Sequence, residues 1–349
     1  MTDSTELAPI AEVKAKFPNG VWTSRARRRL ERLVRRPSGF GTWEGSLTWA
    51  ARVQGTAEPV PFSTPRALLF AGEYPEAWDA GFEGGLAEQM ADVEAQTGPL
   101  GAAFADAGLP VELVEVAPSL GSGGPLLTPE EVEDALLVGR ETADAAIDSG
   151  ADVLLMAGLG LGAEMAAVAV CAGVLKNDIA NYLPLSALPD GIVDDYSWME
   201  RVSALRDHLA LNRGFERKPG EIVAHVAGAE LGAMAAAIVT AASREVPVVL
   251  DGPVAAAAAM LARDFQLASP KWCCMPNRAP HPVVEKMANQ AGLPDGVGLT
   301  LDLGDGAGLV PGWTQLQAAL AVSREYDRVE KAREAELEAL AENPEPFTV

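Results

Sequence analysis

Cysteine is almost missing from this chain. There are three among 349 residues, Cys171 on its own and Cys273 next to Cys274, so no framework of spaced disulfide partners is legible. The adjacent pair with His281 lacks the spacing of a tetrahedral zinc site, and no metal is expected. Histidine is equally scarce. His208, His225 and His281 accompany no recognisable Ser or Cys nucleophile motif, which leaves a hydrolase triad unsupported. His225, in an apolar segment, reads as a core residue. Basic residues are few, 27 against 49 acidic ones, for a formal charge of −22. Binding a nucleic-acid backbone needs Lys and Arg in excess, which argues against that partner class; a small anion needs only one local site. Long apolar runs are lacking too: the run at 255–261 is too short to span a bilayer and follows Pro253. The start, Met1-Thr-Asp-Ser-Thr-Glu6, is polar and acidic, unlike a secretory leader, and a cytoplasmic protein is expected.

Aromatics make up 6% of the residues, while glycine numbers 34 and alanine abounds. Small side chains let helices and sheets approach closely, as in packed α/β layers. Strand-like runs at 66–72, 111–116, 153–156, 246–250 and 299–303 alternate with helical stretches at 86–107, 128–150, 198–211, 229–243 and 255–263. Thr128-Pro-Glu-Glu131 offers an N-cap, a Pro in the first turn and a Glu at the capping-box position. The alternation predicts an α/β fold: a doubly wound, Rossmann-like parallel sheet with ligands at the carboxyl ends of its strands. Residues 1–20 look loosely ordered, and helical patterning over 23–53 is broken by the turn cluster Pro37-Ser-Gly39-Phe-Gly41. The tail at 324–342 reads as a solvated, charged helix. The expected division is a helical segment over 1–60, an α/β unit over 61–322 and a charged helix and tail over 323–349. The two terminal segments are expected to form a smaller helical domain.

Two glycine-rich turns stand out. Gly158-Leu-Gly160-Leu-Gly162-Ala-Glu164-Met165 is entered from Val153-Leu-Leu-Met156. Gly304-Asp305-Gly306-Ala-Gly308 is entered from Leu299-Thr-Leu301-Asp-Leu303. Each reads as strand, turn, then helix. That arrangement aims backbone N–H groups and a helix N-terminus at an anion, usually a phosphate. The second turn also carries a carboxylate, which suggests chemistry on a phosphorylated small molecule.

The order of these elements resembles the nicotinate-nucleotide:dimethylbenzimidazole phosphoribosyltransferases of cobamide assembly, over about residues 28–322. Residues 30–41 look like the family's "LDRLxKPPGSLG", and Leu69-Phe-Ala-Gly72 sits where the family has "VFAGDHG". Residues 151–162 resemble "ADLLxxGEMGIG", and Val226-Ala-Gly-Ala-Glu230-Leu231 resembles "xGGxEIAA". Val246-Pro-Val-Val-Leu250-Asp-Gly252 is similar to "VPVLLDG", and Leu303-Gly-Asp305-Gly-Ala-Gly308 to "LGEGTGA". The resemblance implies a transferase that moves the ribose phosphate of nicotinate mononucleotide to an aromatic base and releases nicotinate. It implies no cofactor beyond the substrate itself, and a homodimer, with a heterodimer of homologues as the variant.

Carried over residue by residue, the resemblance makes Asp305 the general base, in place of the family's Glu; the plain alternative is a turn Asp capped by local N–H groups. Gly160, Gly162, Ala163, Glu164, Gly304 and Gly306 would surround the ribose phosphate. Ala163-Glu164-Met165 replaces the family's Asn-Thr-Thr, which exchanges hydroxyl donors for a carboxylate, and Gly158-Leu159 replaces an acidic residue. Arg201 stands where the family has a phosphate-contacting Lys, and Arg is able to bind phosphate bidentately. Asn277 and Arg278 would compensate for the lost hydroxyls. Glu73, Tyr74, Phe82, Glu83 and Leu303, with Trp78 nearby, would form the acceptor-base pocket, since aromatic rings stack on flat bases. For Arg201, Arg278 and the aromatics the bland alternatives are a salt bridge, a loop arginine and a plug in a gap.

Two further readings are open. The departures at Asp305 and 163–165 would also suit a catalytically impaired paralogue acting as a nucleotide-binding or structural subunit. Gly158-x-Gly160-x-x-Ala163 with Asp178 imitates a dinucleotide fingerprint, but no clear strand leads to Asp178. Asp194-Asp195 offers magnesium ligands or simply a solvated acidic turn.

Overall fold

The computed structural model describes residues 8–342 except 35, 37, 76–77, 79–84, 122, 186–190, 216 and 305, together with the side chains of these residues other than 8, 161, 340 and 342. Five strands form one sheet: β1 Pro65–Ala71, β2 Val111–Glu115, β3 Val153–Leu159, β4 Val248–Leu250 and β5 Cys273–Cys274. All neighbours run parallel, in the order β2-β1-β3-β4-β5. The order reverses between β1 and β3, the kind of crevice where doubly wound sheets bind ligands.

Thirteen helices are described: α1 Ala8–Ala11, α2 Val21–Leu33, α3 Trp43–Gln54, α4 Leu86–Ala95, α5 Gly98–Asp106, α6 Pro129–Asp148, α7 Leu161–Leu175, α8 Asp195–Leu211, α9 Pro219–Ile222, α10 Gly228–Ser243, α11 Gly252–Phe265, α12 Pro282–Ala291 and α13 Leu309–Glu342. Side-chain alternation along the strands divides them into two layers. Leu68, Phe70, Leu154, Met156, Val248, Leu250 and Cys273 face a core shared with α6, α7, α10, α11 and α12. Ala67, Leu69, Val153, Leu155, Ala157, Val249 and Cys274 face a second core with α2, α3 and the first turns of α13. The adjacent cysteines thus point to opposite faces of the sheet. Burial raises both thiol pKa values, that of Cys274 to about 12.

Small residues serve packing. A Cβ at Gly139 on α6 would lie 1.8 Å from the carbonyl oxygen of Ala233 on α10, so these helices touch backbone to backbone. The terminal helices are clasped by a buried pair: Arg29 Nε donates to Asp327 Oδ1 at 2.6 Å and Nη2 to Ser323 Oγ at 2.9 Å.

Several expectations need correcting. Residues 299–303 form no strand; their link to the sheet is a single parallel bridge, Asn277↔Leu299. The helix expected over 86–107 is two, because Gln96 turns left-handed (φ 58°) and Pro99 starts a new helix. The charged tail at 324–342 is helical and largely exposed as expected, and it continues a 34-residue helix whose first turns are core. One continuous helical stretch, Pro219–Ser243, is long and apolar enough to cross a membrane; 89% of its most apolar window is buried in the fold. The capping box at Thr128 forms as expected, with the Thr128 hydroxyl accepting from Glu131 N at 3.3 Å.

Candidate active site

β3 is buried along its whole length and is followed by Gly160, which adopts φ 118° and ψ 144° before α7 begins. A side chain there would be strained, and its Cβ would come within 3.1 Å of the Gly72 carbonyl oxygen at the end of β1. The second glycine bend folds back onto β3: a Cβ at Gly306 would lie 2.4 Å from Ala157 Cβ. Between the bends lies a cavity of about 210 Å³. Gly158, Gly160, Gly304 and Gly306 supply backbone, Leu303 supplies an exposed apolar edge, and Glu164, Asp251, His281 and Asp302 supply polar side chains.

Asp251 caps the end of β4 and is 4% exposed. Burial pushes its carboxyl up to about 6, against hydrogen bonds from Asn277 and the Gly308 and Gly252 amides; the charge of Asp302 pushes the same way as burial. Asn277 is fully engaged in this structure. Its Nδ2 donates to Asp251 Oδ1 and Leu301 O, both at 2.9 Å, and its Oδ1 accepts from Leu301 N at 2.9 Å. One amide side chain therefore ties the second bend to β4 in place of a strand ladder.

Glu164 lies in the first turn of α7 and lines the cavity, its side chain 28% exposed. Its Oε1 lies 3.2 Å from His281 Nε2. His281 is the N-cap of α12 and accepts the Val283 amide on Nδ1 at 3.1 Å, which puts the ring proton on Nε2 and makes the histidine a donor to Glu164. Arg201, on α8, is buried; burial lowers its pKa, while Glu164 and Asp194 act to raise it. Asp194 itself caps α8 by accepting from Ser197 N at 3.1 Å.

The expected residues are thus partly assembled. Gly160, Glu164, Leu303, Gly304 and Gly306 line one cavity. Gly162 is buried inside α7, and Ala163 packs into the core, because helical periodicity turns them away from the edge. Arg278 also turns away: its Nη2 donates to the Leu293 and Pro294 carbonyls, bracing the loop after α12. Tyr74 is no base-stacking wall. It is 5% exposed, its hydroxyl donates to Ala227 O at 3.0 Å, and its ring stacks on Trp78 at 5.6 Å. Glu73 is exposed beside a separate groove of about 440 Å³ at the ends of β1 and β2, with Glu94, Glu115 and Leu86. Asp305, Phe82 and Glu83 lie outside the described residues.

Asp302, Asp251, His281 and Glu230 had escaped sequence reasoning as site candidates. Asp251 follows a strand and precedes Gly-Pro, the position for a cap facing the ligand edge. His281 precedes Pro282, which marks a helix start. Glu230, wholly buried, packs under the β1/β3 crevice, where a Cβ at Gly158 would lie 2.5 Å from its Oε1. Burial, then the Glu230 charge, pushes the Tyr74 hydroxyl well above its usual range. A larger groove of about 490 Å³, between α1, α9 and the end of α11, lies away from the strand ends and gathers none of these groups.

A family model described as phosphoribosyltransferase matches residues 15–333. The chain is 29% identical over 316 residues to the nicotinate-nucleotide–dimethylbenzimidazole phosphoribosyltransferase of Corynebacterium efficiens, with 84% of each chain covered. It is 28% identical over 353 residues to the enzyme of that name from Corynebacterium glutamicum, covering 96% of this chain and 98% of that one. The crystal structure of CobT from Thermus thermophilus is similar in fold, with a TM-score of 0.75 at 24% identity over 87% of this chain and 96% of that one.

Proposed function

This chain belongs to the phosphoribosyltransferase family, and from that premise we propose that it moves the ribose phosphate of nicotinate mononucleotide to dimethylbenzimidazole or a related aromatic base, in cobamide lower-ligand assembly. The observation that carries the reading is the cavity at the carboxyl ends of β3 and β4, where two glycine bends meet a group of carboxylates. The curated relatives bearing that enzyme's name support the substrate pair.

In this reading the ribose sits over Gly160 and Gly306, with its phosphate toward the N-terminus of α7. The incoming azole nitrogen attacks the anomeric carbon as the bond to nicotinate breaks. The pyridinium leaves as neutral-ring nicotinate, so the departing group needs no proton. Positive charge grows on the ribose, and the Asp251 and Asp302 carboxylates favour it electrostatically. Asp305, between two cavity-lining glycines, takes the proton from the azole as general base. The base enters from the β1/β2 side, past Glu73. The protein works as a cytoplasmic homodimer.

The test is turnover by the purified chain with nicotinate mononucleotide and dimethylbenzimidazole, followed by chromatography. Release of nicotinate in equal amount with an α-linked nucleotide is expected. Absence of both products at high enzyme concentration, with a panel of planar azoles, would defeat the reading.

A further inference from the structure

One carboxylate in the cavity stands at a helix N-terminus and takes a donor from a second helix. Glu164 extends from the first turn of α7, where unsatisfied backbone amides already favour negative charge. His281, fixed by the Val283 amide as the Nε2–H tautomer, donates to it from the start of α12. Arg201, 1% exposed on α8, feels its charge more strongly than that of Asp194. A helix N-terminus and an imidazole N–H, in the field of the buried Arg201 guanidinium, make a seat for an oxyanion, and here a side chain of the protein sits in it.

Resting on the reading above, we propose that Glu164 is a specificity-determining residue: a built-in anion that competes with the donor's phosphate for His281 and the N-terminus of α7. A phosphate carries up to two negative charges near neutral pH. It enters this seat only by sharing it with, or displacing, a carboxylate of like charge held in a partly buried site, where screening is weak. A donor with the same ribose and leaving group but an uncharged 5′ hydroxyl meets no such repulsion; its hydroxyl is able to donate to Glu164. The chain is therefore tuned away from tight nucleotide binding and toward tolerance of the corresponding riboside.

The experiment compares the full-length chain with Glu164→Gln, which keeps the side-chain length and an oxygen for His281 while removing the charge. Isothermal titration is done with nicotinate mononucleotide, nicotinate riboside and inorganic phosphate, alongside steady-state kinetics with both donors. The mononucleotide and phosphate are expected to bind at least tenfold more tightly to the variant, with KM for the mononucleotide falling in step. Riboside affinity should change less than threefold. Unchanged or weaker mononucleotide and phosphate binding by the variant overturns the proposal. Turnover is read separately: if neither protein turns over either donor, the transferase reading fails, while the titrations still decide the role of Glu164. Glu164→Ala, judged by the same titrations, serves should the Gln variant not fold.

Discussion

At Gly160 the chain leaves a strand paired with β1 from Val153 to Leu159 and with β4 from Leu154 to Met156, and it turns directly into a 15-residue helix. At 301–308 it makes a similar change of direction with one isolated bridge behind it. The first bend takes its position from a sheet in which each backbone bond supports the next. The second takes its position from Asn277 and Asp251, two side chains meeting in a buried spot. A small turn is thus fixed equally well by a ladder or by a side-chain latch. The latch is the more fragile of the two, since it fails with a single residue.

Breaking the latch should have the largest effect. Asn277→Ala removes three hydrogen bonds and leaves the buried Asp251 without its side-chain donor, with only the Gly308 and Gly252 amides remaining. A loss of about 4 kcal/mol in unfolding free energy is expected, with nicotinate release down about 100-fold as the second bend loosens. Urea denaturation and the turnover assay measure both. Retention of both near wild-type values would show that the bend is held by something else.

The next effect depends on pH. Asp251 titrates near 6 in the folded chain against an ordinary value of 3.8. Between those values the folded protein holds a proton that the unfolded chain has shed. Stability therefore declines as pH rises through that window, by roughly 3 kcal/mol, and the penalty is constant above it. In Asp251→Asn this contribution is absent. The wild-type-minus-variant difference in unfolding free energy should drop between about pH 3.5 and about pH 6.5. A flat difference would mean that Asp251 keeps its ordinary affinity for protons in the folded chain, and a rising one that it is held ionised as a charge-assisted pair.

The smallest effect belongs to the ladder-held bend. Gly160→Ala meets a φ of 118° and the Gly72 carbonyl at 3.1 Å, for a cost of about 2 kcal/mol. The neighbouring strand should survive, as amide exchange at 154–157 would report. Loss of protection across β3 would mean that this bend is no sturdier than the other.

Local patterns carried much of the fold. The runs at 66–72 and 153–156 are apolar and rich in Leu, and Thr128-Pro-Glu-Glu131 spells out its own cap, so neighbours in sequence suffice. Leu299-Thr-Leu301-Asp-Leu303 alternates apolar and polar residues as a half-buried strand would, yet forms no strand, because pairing depends on an available edge and Asn277 satisfies Leu301 instead. At the site, the glycines were visible because left-handed backbone demands them. Tyr74 misled because an aromatic beside a turn looks alike whether it faces a ligand or, as here, Trp78 and the Ala227 carbonyl. Arg278 misled for a similar reason: a long cation in a loop has several carbonyls within reach, and sequence does not say which.

The chain alone determined the alternation of strands and helices, the glycine bends and the excess of negative charge, since each depends on backbone allowance or on counting. Tertiary structure decided which carboxylates share a cavity. Glu164, Asp251, His281 and Asp302 come from four separate stretches of sequence; the protonation of Asp251 depends on burial, and the pairing of Glu164 with His281 on a neighbour far along the chain. Desolvation and charge coupling act through space, so they acquire values only once the sheet has brought those stretches to one edge.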